Sequence, residues 1–373
     1  LMLDLTYLLA NKFIAKQLGK AFSGSDLPLE DTMNAMLDDY GKVFAKQGIR
    51  FKIPFRGIGY VFKMIPKVLS ARKFKPEERY DEIKKMGQAF YKEREAKSQM
   101  LETLDEKWQF CEETMFSVFL LTQDQAMYCV EVNNFAKISK QLGKYFGDTY
   151  NPDVLTYSLP QCYTVELSLQ LNELAKYFDE NDLQVRADHQ RVKAFLEVFG
   201  FRGNIELDFG TPRWMENPAY VVHQIKSFMK NKMYIRNIQD VEDKRIQAEV
   251  MIEEVTQALM EKISKRKARA FKKMMVEYRI AAGMREYPKY NIVQGLYLAR
   301  KVMGQVGDTF LAQGLIDARE DIFYIRKEDL ALRENLREKI ADYKANYANE
   351  MARTRIPRLL LNNGVTYYTA NKN

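Results

Sequence analysis

Residues 283–300, GMREYPKYNIVQGLYLAR, place a glycine and a proline five positions apart between two stretches with helical periodicity. Upstream, residues 239–282 predict one long helix, because their apolar side chains recur at spacings of three and four. Gly283 can end that helix, and Pro288 fits the first turn of the next one, where a missing N–H does no harm. Residues 292–306 repeat the apolar spacing. The stretch therefore predicts two long helices with a break between them.

Two cations, Arg285 and Lys289, flank this predicted break. They are four residues apart, so both can face one pocket beside the free N–H groups of a helix N-terminus, which attracts anions. A guanidinium can form bidentate hydrogen bonds with phosphate and does not lose its charge, so Arg285 is the stronger candidate of the two. The alternative is a basic pair on a solvated helix face, and the spacing alone does not decide between the two interpretations.

Most of the remaining chain also favours helices. Residues 77–146 contain no proline, and a charged run followed by an apolar run predicts an outer and an inner helix of a bundle. The longest passage without helical periodicity is residues 199–214, FGFRGNIELDFGTPRW, in which three glycines permit turns. The predicted class is all-α, an irregular multi-helix bundle with long helices and one extended loop that contains Gly and Pro.

That loop concentrates charge and an aromatic ring, on Arg202, Glu206, Asp208, Arg213 and Trp214. Functional groups often lie on loops of this kind. The alternative is a buried strut in which the same charges pair and tie helices together. Both interpretations stay open from the sequence.

Composition restricts the partners only mildly. The 373 residues are 46% hydrophobic, which suffices for a core, and the formal net charge of +8 favours anionic ligands. Because 50 acidic residues are interspersed, the charge does not imply nucleic-acid binding. The basic run at residues 262–273 is interpreted as a solvated face toward the C-terminal end of the long helix, where the helix dipole favours cations. Residues 51–75 are interpreted as a loop with short helices that covers a pocket.

Residue types that can bind metals or form disulfides are few and scattered in this chain. Cys111, Cys129 and Cys162 have no paired spacing, and His189 and His223 are the two histidines. No metal site is expected, and the thiols are interpreted as structural. An odd cysteine number also argues against a disulfide scaffold, so a reducing cytoplasm is the expected location. The histidines are interpreted as ordinary helix-face residues.

Three stretches together resemble the phosphoenolpyruvate synthase-like phosphotransferases, the group that contains the rifamycin phosphotransferases. They are residues 282–330 (beginning AGMREYPKYNIVQGLYLAR), residues 195–218 (FLEVFGFRGNIELDFGTPRWMENP) and, more loosely, residues 155–175 (LTYSLPQCYTVELSLQLNELA). They follow the family order and span most of the chain. The resemblance covers the central, substrate-binding region of that family.

The resemblance implies that a complete enzyme also uses an ATP-grasp domain, ATP and Mg, and a swivelling domain whose histidine carries phosphate. Those domains would be partners on the same polypeptide or on a separate chain. No cofactor is expected within this chain, which shows neither a glycine-rich nucleotide loop nor a TSGG-type sequence before a histidine. By itself it is therefore expected to be inactive.

The expected domain organisation is a helical acceptor-binding domain over residues 1–355, with residues 1–76 as a possible covering subregion. Residues 356–373 are expected to be a linker toward the swivelling domain. The apolar start, residues 1–22, carries charges at helical intervals and is too short to span a membrane, so it predicts an amphipathic packing helix.

By resemblance, Arg285 and Lys289 are the active-site cations that hold the phosphoryl group as it passes from phosphohistidine to an acceptor hydroxyl. The expected acceptor is a small, hydroxylated, largely apolar molecule of rifamycin type, in a helix-lined pocket rich in Met and aromatic residues. The residues of that pocket are not identified by the sequence. Pyruvate is disfavoured because the alternating strands and helices of a barrel are missing from the pattern.

The chain departs from the family pattern at several positions. These are Phe201, Asn204 and Ile205 in the loop, and Gln161 and Cys162 at the beginning of the helical stretch that Pro160 starts and that runs through Phe178. They leave the fold expectation intact but put a specific drug substrate in doubt. The contrasting hypothesis is a non-enzymatic helical scaffold whose basic run, residues 262–273, binds an acidic partner.

Overall fold

A computed structural model of the chain describes residues 66–356 together with residues 359–360 and 366–367. Helical residues 66–71 come first. The helices that follow are α1 (Pro76–Ser98), α2 (Leu104–Ala126), α3 (Phe135–Phe146), α4 (Tyr163–Glu180), α5 (Gln190–Phe199), α6 (Ala219–Met229), α7 (Met233–Lys262), α8 (Lys265–Met284), α9 (Tyr287–Ala312), α10 (Lys327–Leu332) and α11 (Leu336–Met351).

Helices make up nearly all of the regular structure that is described. The β-structure in these residues is one short antiparallel pair, β1 (Leu359–Leu360) and β2 (Thr366–Tyr367). Residues 200–218, between α5 and α6, form the predicted extended loop. The predicted all-α class is therefore confirmed. Among the described residues, no helix has the length and apolarity needed to cross a membrane.

Several predictions concern parts of the chain outside the described residues. The amphipathic helix at residues 1–22, most of the covering subregion at residues 1–76 and most of the linker at residues 356–373 fall there. The domain boundaries therefore remain predictions.

The predicted long helix over residues 239–282 is wrong, because it consists of two helices, α7 and α8. Ile263 and Ser264 adopt extended backbone angles between them, and the chain turns back. Glu253 and Lys272, on opposite sides of this turn, form an ion pair, so the two helices are antiparallel. Both turn apolar faces to one shared cluster. A two-residue turn between two amphipathic helices hardly disturbs the periodicity, which explains the error.

The turn also changes the setting of the basic run at residues 262–273. Lys265, Arg266 and Lys267 occupy the first turn of α8 rather than the end of a long helix, and they are exposed. The helix dipole is unfavourable to cations at that end. The predicted solvated face is therefore observed, but the electrostatic reason given for it was wrong.

Gly283 has a role that the sequence did not indicate. It lies inside α8, which continues to Met284, and the break falls at Arg285 and Glu286. A Cβ atom at Gly283 would lie 1.9 Å from the carbonyl oxygen of Pro160. The glycine thus lets the backbone that precedes α4 pack directly on α8. Pro288 lies in the first turn of α9, as predicted.

A buried arginine fixes the same loop from the other side. Arg279, 4% exposed, donates hydrogen bonds from its guanidinium to the carbonyl oxygens of Leu155, Tyr157 and Ser158, at 2.9, 2.9 and 3.2 Å. A buried cation is tolerated when its donors are satisfied in this way. Together with the contact at Gly283, these bonds set the position of the N-terminus of α4 relative to α8.

Helix α9 is the element around which the hydrophobic core is arranged. Val293 packs in the cluster formed mainly by α4, α5 and α6, whereas Met303 packs with the C-terminal helices. Tyr287 and Leu298 join two further clusters with α1, α2 and α8. A helix buried on most of its circumference presents different faces to different neighbours.

Helix α2 differs from the inner helix that its apolar run predicts. Val118 and Phe110 are fully buried, but Phe116, Phe119 and Leu120 are 65%, 45% and 46% exposed. Large apolar side chains that stay exposed together often mark a binding surface.

Gly283→Ala tests the backbone contact. We expect it to lower the free energy of unfolding by about 1–3 kcal/mol, because the new methyl group overlaps a carbonyl oxygen that Arg279 helps to hold. Gly143→Ala in α3 is the matched control, since no atom lies within 4 Å of its added Cβ. Alanine there should stabilise by up to about 1 kcal/mol through helix propensity. Urea unfolding followed by circular dichroism measures both, and equal effects would contradict the steric role.

Candidate functional site

Lys289 and Arg202 converge on one carboxylate in a small cleft. The Lys289 Nζ lies 3.1 Å from Oε2 of Glu206, and Arg202 Nε donates a hydrogen bond of 2.5 Å to Oε1 of the same residue. The Glu206 side chain is only 12% exposed. The extended loop therefore supplies a carboxylate and a cation to the first turn of α9.

The cleft lies between α4, the loop and α9. It has a volume of about 20 Å³, and it is lined by Tyr163, Thr164, Phe201, Arg202, Glu206, Glu286, Lys289, Tyr290 and Val293. The aromatic rings pack edge to face: Tyr163 and Tyr290 have centroids 4.5 Å apart, and Phe201 and Tyr290 have centroids 4.7 Å apart. Such packing fixes the walls of the cleft.

Arg285 is not among the residues that line this cleft. Its side chain is 60% exposed, and its guanidinium lies 3.8 Å from the carboxylate of Glu286. Glu286, just before α9, and Lys289, Tyr290 and Val293 of α9 face the cleft. Arg285 lies at the break that ends α8, so helical spacing does not place it on the same face as Lys289. The structure thus brings Lys289 into the cleft and leaves Arg285 at its exterior.

The two cations control the ionisation of Glu206. Burial alone would raise the pKa of this carboxyl, but the hydrogen bonds and charges of Arg202 and Lys289 outweigh burial. The pKa is therefore lowered from its ordinary value of 4.5, and Glu206 is ionised at neutral pH.

Two buried arginines hold the loop that carries Glu206. Arg213, fully buried, donates to the carbonyl oxygens of Ile205 and Asp208 at 3.2 and 3.1 Å. Arg300, 2% exposed, pairs with Glu216 at 2.9 Å. It also donates to the backbone of residues 209 and 210. For Arg213, the alternative of a buried strut is therefore the correct one.

Other charged or aromatic residues of the loop are structural as well. Asp208 accepts hydrogen bonds from the backbone N–H of Gly210 and the hydroxyl of Thr211, which closes a turn. Trp214 is 8% exposed and stacks on Tyr220. Of the five residues singled out in the loop, Arg202 and Glu206 are the ones that line the cleft.

An apolar groove lies beside the cleft. Its volume is about 650 Å³, and it is lined by Trp108, Cys111, Glu112, Met115, Phe116, Phe119, Leu207, Phe209, Leu296, Met303, Ile322, Phe323 and Ile325. These side chains come from α2, the loop, α9 and the turn that follows α9. The volume is in the range of sites for drug-sized molecules. Sequence periodicity did not identify the groove, because it is formed by segments distant in the chain.

The cleft and the groove share two elements. Glu206 lines the cleft, and its neighbour Leu207, 71% exposed, lines the groove. On α9, Val293 lines the cleft and Leu296, one turn further on, lines the groove. A ligand in the groove would therefore lie next to the charged cleft.

The cysteines and histidines take no part in the cleft. Cys129 and Cys162 are buried, and burial raises the pKa of Cys129 to about 12. Cys111 lines the groove, where burial raises its pKa to about 12. His189 caps α5 by accepting from the N–H of Arg191, which corrects its prediction as a helix-face residue. His223 is exposed on α6, and the described residues hold no cluster of metal-ligating side chains.

Comparison with known proteins identifies the relatives of this region. Residues 126–286 match the family described as the rifampicin phosphotransferase fourth domain. The rifampicin phosphotransferase of Bacillus cereus is 23% identical over 252 residues, which cover 61% of this chain and 28% of that relative. The one from Bacillus subtilis is 24% identical over 219 residues, which cover 52% of the chain and 25% of the relative. The predicted rifamycin phosphotransferase-like family is confirmed for this part of the chain.

The match covers only a part of each relative. The chain spans about a quarter of the length of these rifampicin phosphotransferases. The prodigiosin synthesizing transferase PigC of Serratia marcescens is also similar, with 28% identity over 127 residues, which cover 34% of the chain and 14% of that protein. The matched family region contains Arg202, Glu206 and Arg285 and ends three residues before Lys289.

Glu206→Gln tests the electrostatics of the cleft. Folding lowers the pKa of this carboxyl, so its stabilisation is fully present above the unfolded pKa near 4.5 and is lost as the pH falls through the folded value. At pH 7 we expect a loss of about 1–2 kcal/mol, mostly from the Arg202 pair because Lys289 is 57% exposed. The difference from wild type should shrink between pH 5 and the acid limit.

The control is Glu253→Gln, which removes an exposed partner of Lys272. It should change the unfolding free energy by less than about 0.5 kcal/mol at either pH. A Glu206→Gln variant with the same small effect would mean that the cleft charges are not coupled as described.

Proposed function

We propose that this chain is the acceptor-binding region of a phosphotransferase of the phosphoenolpyruvate synthase type. The observation that carries the proposal is the adjacency of an apolar groove and a cation-bearing cleft, joined by Glu206 and Leu207 and by one turn of α9. Phosphoryl transfer needs an acceptor held in place and charge neutralised beside it. The similarity to rifampicin phosphotransferases favours this chemistry over other uses of an apolar groove.

The acceptor is proposed to be a small, hydroxylated, largely apolar molecule of rifamycin type, bound in the groove. Aromatic and aliphatic side chains from four segments line it, and Phe116, Phe119 and Leu207 remain exposed at its surface. Burying this apolar surface against a ligand removes it from water. Methionines at positions 115 and 303 adapt readily to irregular shapes.

Lys289 is proposed to stabilise the phosphoryl group on the side of the acceptor, and Arg285 on the side of the incoming phosphohistidine. Lys289 lies in the cleft next to the groove, whereas Arg285 is exposed at the break between α8 and α9, where an incoming domain can reach it. In the transfer, the P–N bond of phosphohistidine breaks and a P–O bond to the acceptor forms. The hydroxyl proton ends on the imidazole nitrogen that loses the phosphoryl group.

The phosphohistidine, ATP and Mg are proposed to belong to other domains of the complete protein, a swivelling domain and an ATP-grasp domain. His189 caps α5 away from the cleft, and the described residues offer no metal-ligating cluster. A cytoplasmic location is part of the same proposal.

Phe116→Ser tests the groove as the acceptor site. In the complete protein, we expect it to weaken rifampicin binding by about tenfold or more, because a large exposed aromatic contact is lost while the core is untouched. Ile235→Ser, at a similarly exposed position on α7, is the control and should leave binding unchanged. Calorimetric titration measures both. If rifampicin binds neither the wild type nor the control, the rifamycin class of acceptor is excluded.

Lys289→Ala and Arg285→Ala test the two cations. We expect each to lower the rate of ATP-dependent acceptor phosphorylation by about a hundredfold or more in the complete protein, with little change in acceptor affinity, because preorganised charge acts on the transferring group. Lys301→Ala, further along α9 and 43% exposed, should leave the rate unchanged. Normal rates in both variants would show that neither cation acts on the transferring group, whereas a wild-type protein that phosphorylates no acceptor would favour the non-enzymatic scaffold.

A further inference from the structure

The N-terminus of α4 opens into the cleft without a side-chain cap. Cys162 occupies the cap position, and its side chain makes no cap hydrogen bond; its Sγ lies 3.2 Å from the hydroxyl of Thr164. The first backbone bond at this end runs from the N–H of Glu166 to the carbonyl of Cys162. The N–H groups of residues 163–165 have no hydrogen-bond partner among the described residues. Free N–H groups at a helix N-terminus favour an anion.

A second, independent feature lies at the same place. Tyr163 is 6% exposed, and its hydroxyl is buried without a hydrogen-bond partner among the described residues. Its ring lines the cleft and is packed between Tyr290, Phe199 and Tyr287. Burial raises the pKa of Tyr163 above its ordinary value, so the hydroxyl stays a donor at neutral pH. A buried donor without an acceptor is unfavourable and is satisfied when a ligand supplies the acceptor.

The Glu206 carboxylate has the bonding pattern of a bound anion. One of its oxygens accepts from Arg202, and the other pairs with Lys289. With this side chain in place the cleft measures about 20 Å³, room for roughly one water molecule. A phosphoryl group can therefore enter only when the Glu206 side chain moves aside, which frees both cations.

We propose that this cleft is a phosphoryl-binding cradle in which the Tyr163 hydroxyl and the N-terminal amides of α4 join Arg202 and Lys289, with the Glu206 carboxylate as an internal anion that the phosphoryl group displaces. Two cations neutralise its charge, and the neutral donors fix its orientation. The cradle rests on the proposed function, since it specifies where the group in transit is held. It adds Tyr163 and Arg202 to the residues proposed to contact that group.

The test uses the complete protein and inorganic phosphate as the probe, at constant ionic strength set by chloride. Tyr163→Phe keeps the ring and removes the donor, so phosphate should bind about tenfold more weakly. The melting temperature should stay the same or rise, because the lost hydroxyl had no partner. Tyr287→Phe is the matched control, since Tyr287 is equally buried and its ring contacts Tyr163 and Tyr290, but it does not line the cleft. It should leave phosphate affinity unchanged.

Glu206→Gln should change phosphate affinity in the direction opposite to Tyr163→Phe. Removal of the internal negative charge should strengthen phosphate binding severalfold even though the fold is destabilised, a combination that general damage does not produce. Unchanged phosphate affinity in both Tyr163→Phe and Glu206→Gln would overturn the cradle. An equal loss of affinity in Tyr287→Phe would overturn the role of the Tyr163 hydroxyl.

A second measurement distinguishes whether the cleft binds free phosphate or the phosphoryl group of phosphohistidine. With the protein charged as phosphohistidine, Tyr163→Phe should lower kcat for acceptor phosphorylation and leave KM for the acceptor unchanged. If phosphate affinity falls but kcat does not, the cleft binds free phosphate and the transfer role is overturned. If the cleft variants shift phosphate affinity as expected but no acceptor is phosphorylated by the wild type, the proposed function fails while the anion site stands.

Discussion

The burial of guanidinium groups is the constraint on which the rest of this structure depends. Arg213, Arg279 and Arg300 are each at most 4% exposed, and an ion in the interior is tolerated only when its donors are paired. Each one donates hydrogen bonds to backbone carbonyl oxygens of irregular segments, and Arg300 adds the carboxylate of Glu216. The Nε of Arg213 is the exception, since it has no hydrogen-bond partner among the described residues. The loops on either side of the cleft therefore have one position rather than many.

These buried arginines explain how a helical protein can form a polar site from irregular loop segments. Arg279 and the contact at Gly283 set the loop that begins α4, and Arg213 and Arg300 set the loop that carries Glu206. Between the two fixed loops lie the aromatic walls of the cleft. Preorganisation of this kind keeps charged groups in place without reorganisation at the moment a ligand binds.

The region that is similar to rifampicin phosphotransferases includes residues that form the cleft. The matched family region includes the loop with Arg202 and Glu206 and the break at Arg285. Of the departures from the family pattern in the loop, Phe201 has a structural role, since its ring packs on Tyr290. Ile205 contributes its backbone carbonyl to Arg213, which any residue could do, and nothing in the structure explains its side chain, which is 46% exposed. The unusual Cys162 leaves the N-terminus of α4 uncapped.

Much of the fold could be predicted because it follows from local patterns. Apolar spacing identified α9 and the all-α class, and Pro288 marked the first turn of α9. The turn at Ile263 was missed because two amphipathic helices that share one core keep the same periodicity across it. Arg285 and Lys289 were predicted to share a pocket from their four-residue spacing, but Arg285 ends α8 and Lys289 lies in α9, so the spacing of a single helix does not apply across the break.

The sequence by itself determined the helical class, the extended loop and the family resemblance of the central region, because periodicity, glycine and proline positions, and motifs are properties of neighbouring residues. Only the tertiary structure decided which charges are buried struts and which face a cleft, since Arg213 and Arg202 look alike in the loop. It also decided that Phe116 and Leu207, 91 positions apart, line one groove. Such contacts depend on how helices pack, and no local pattern encodes them.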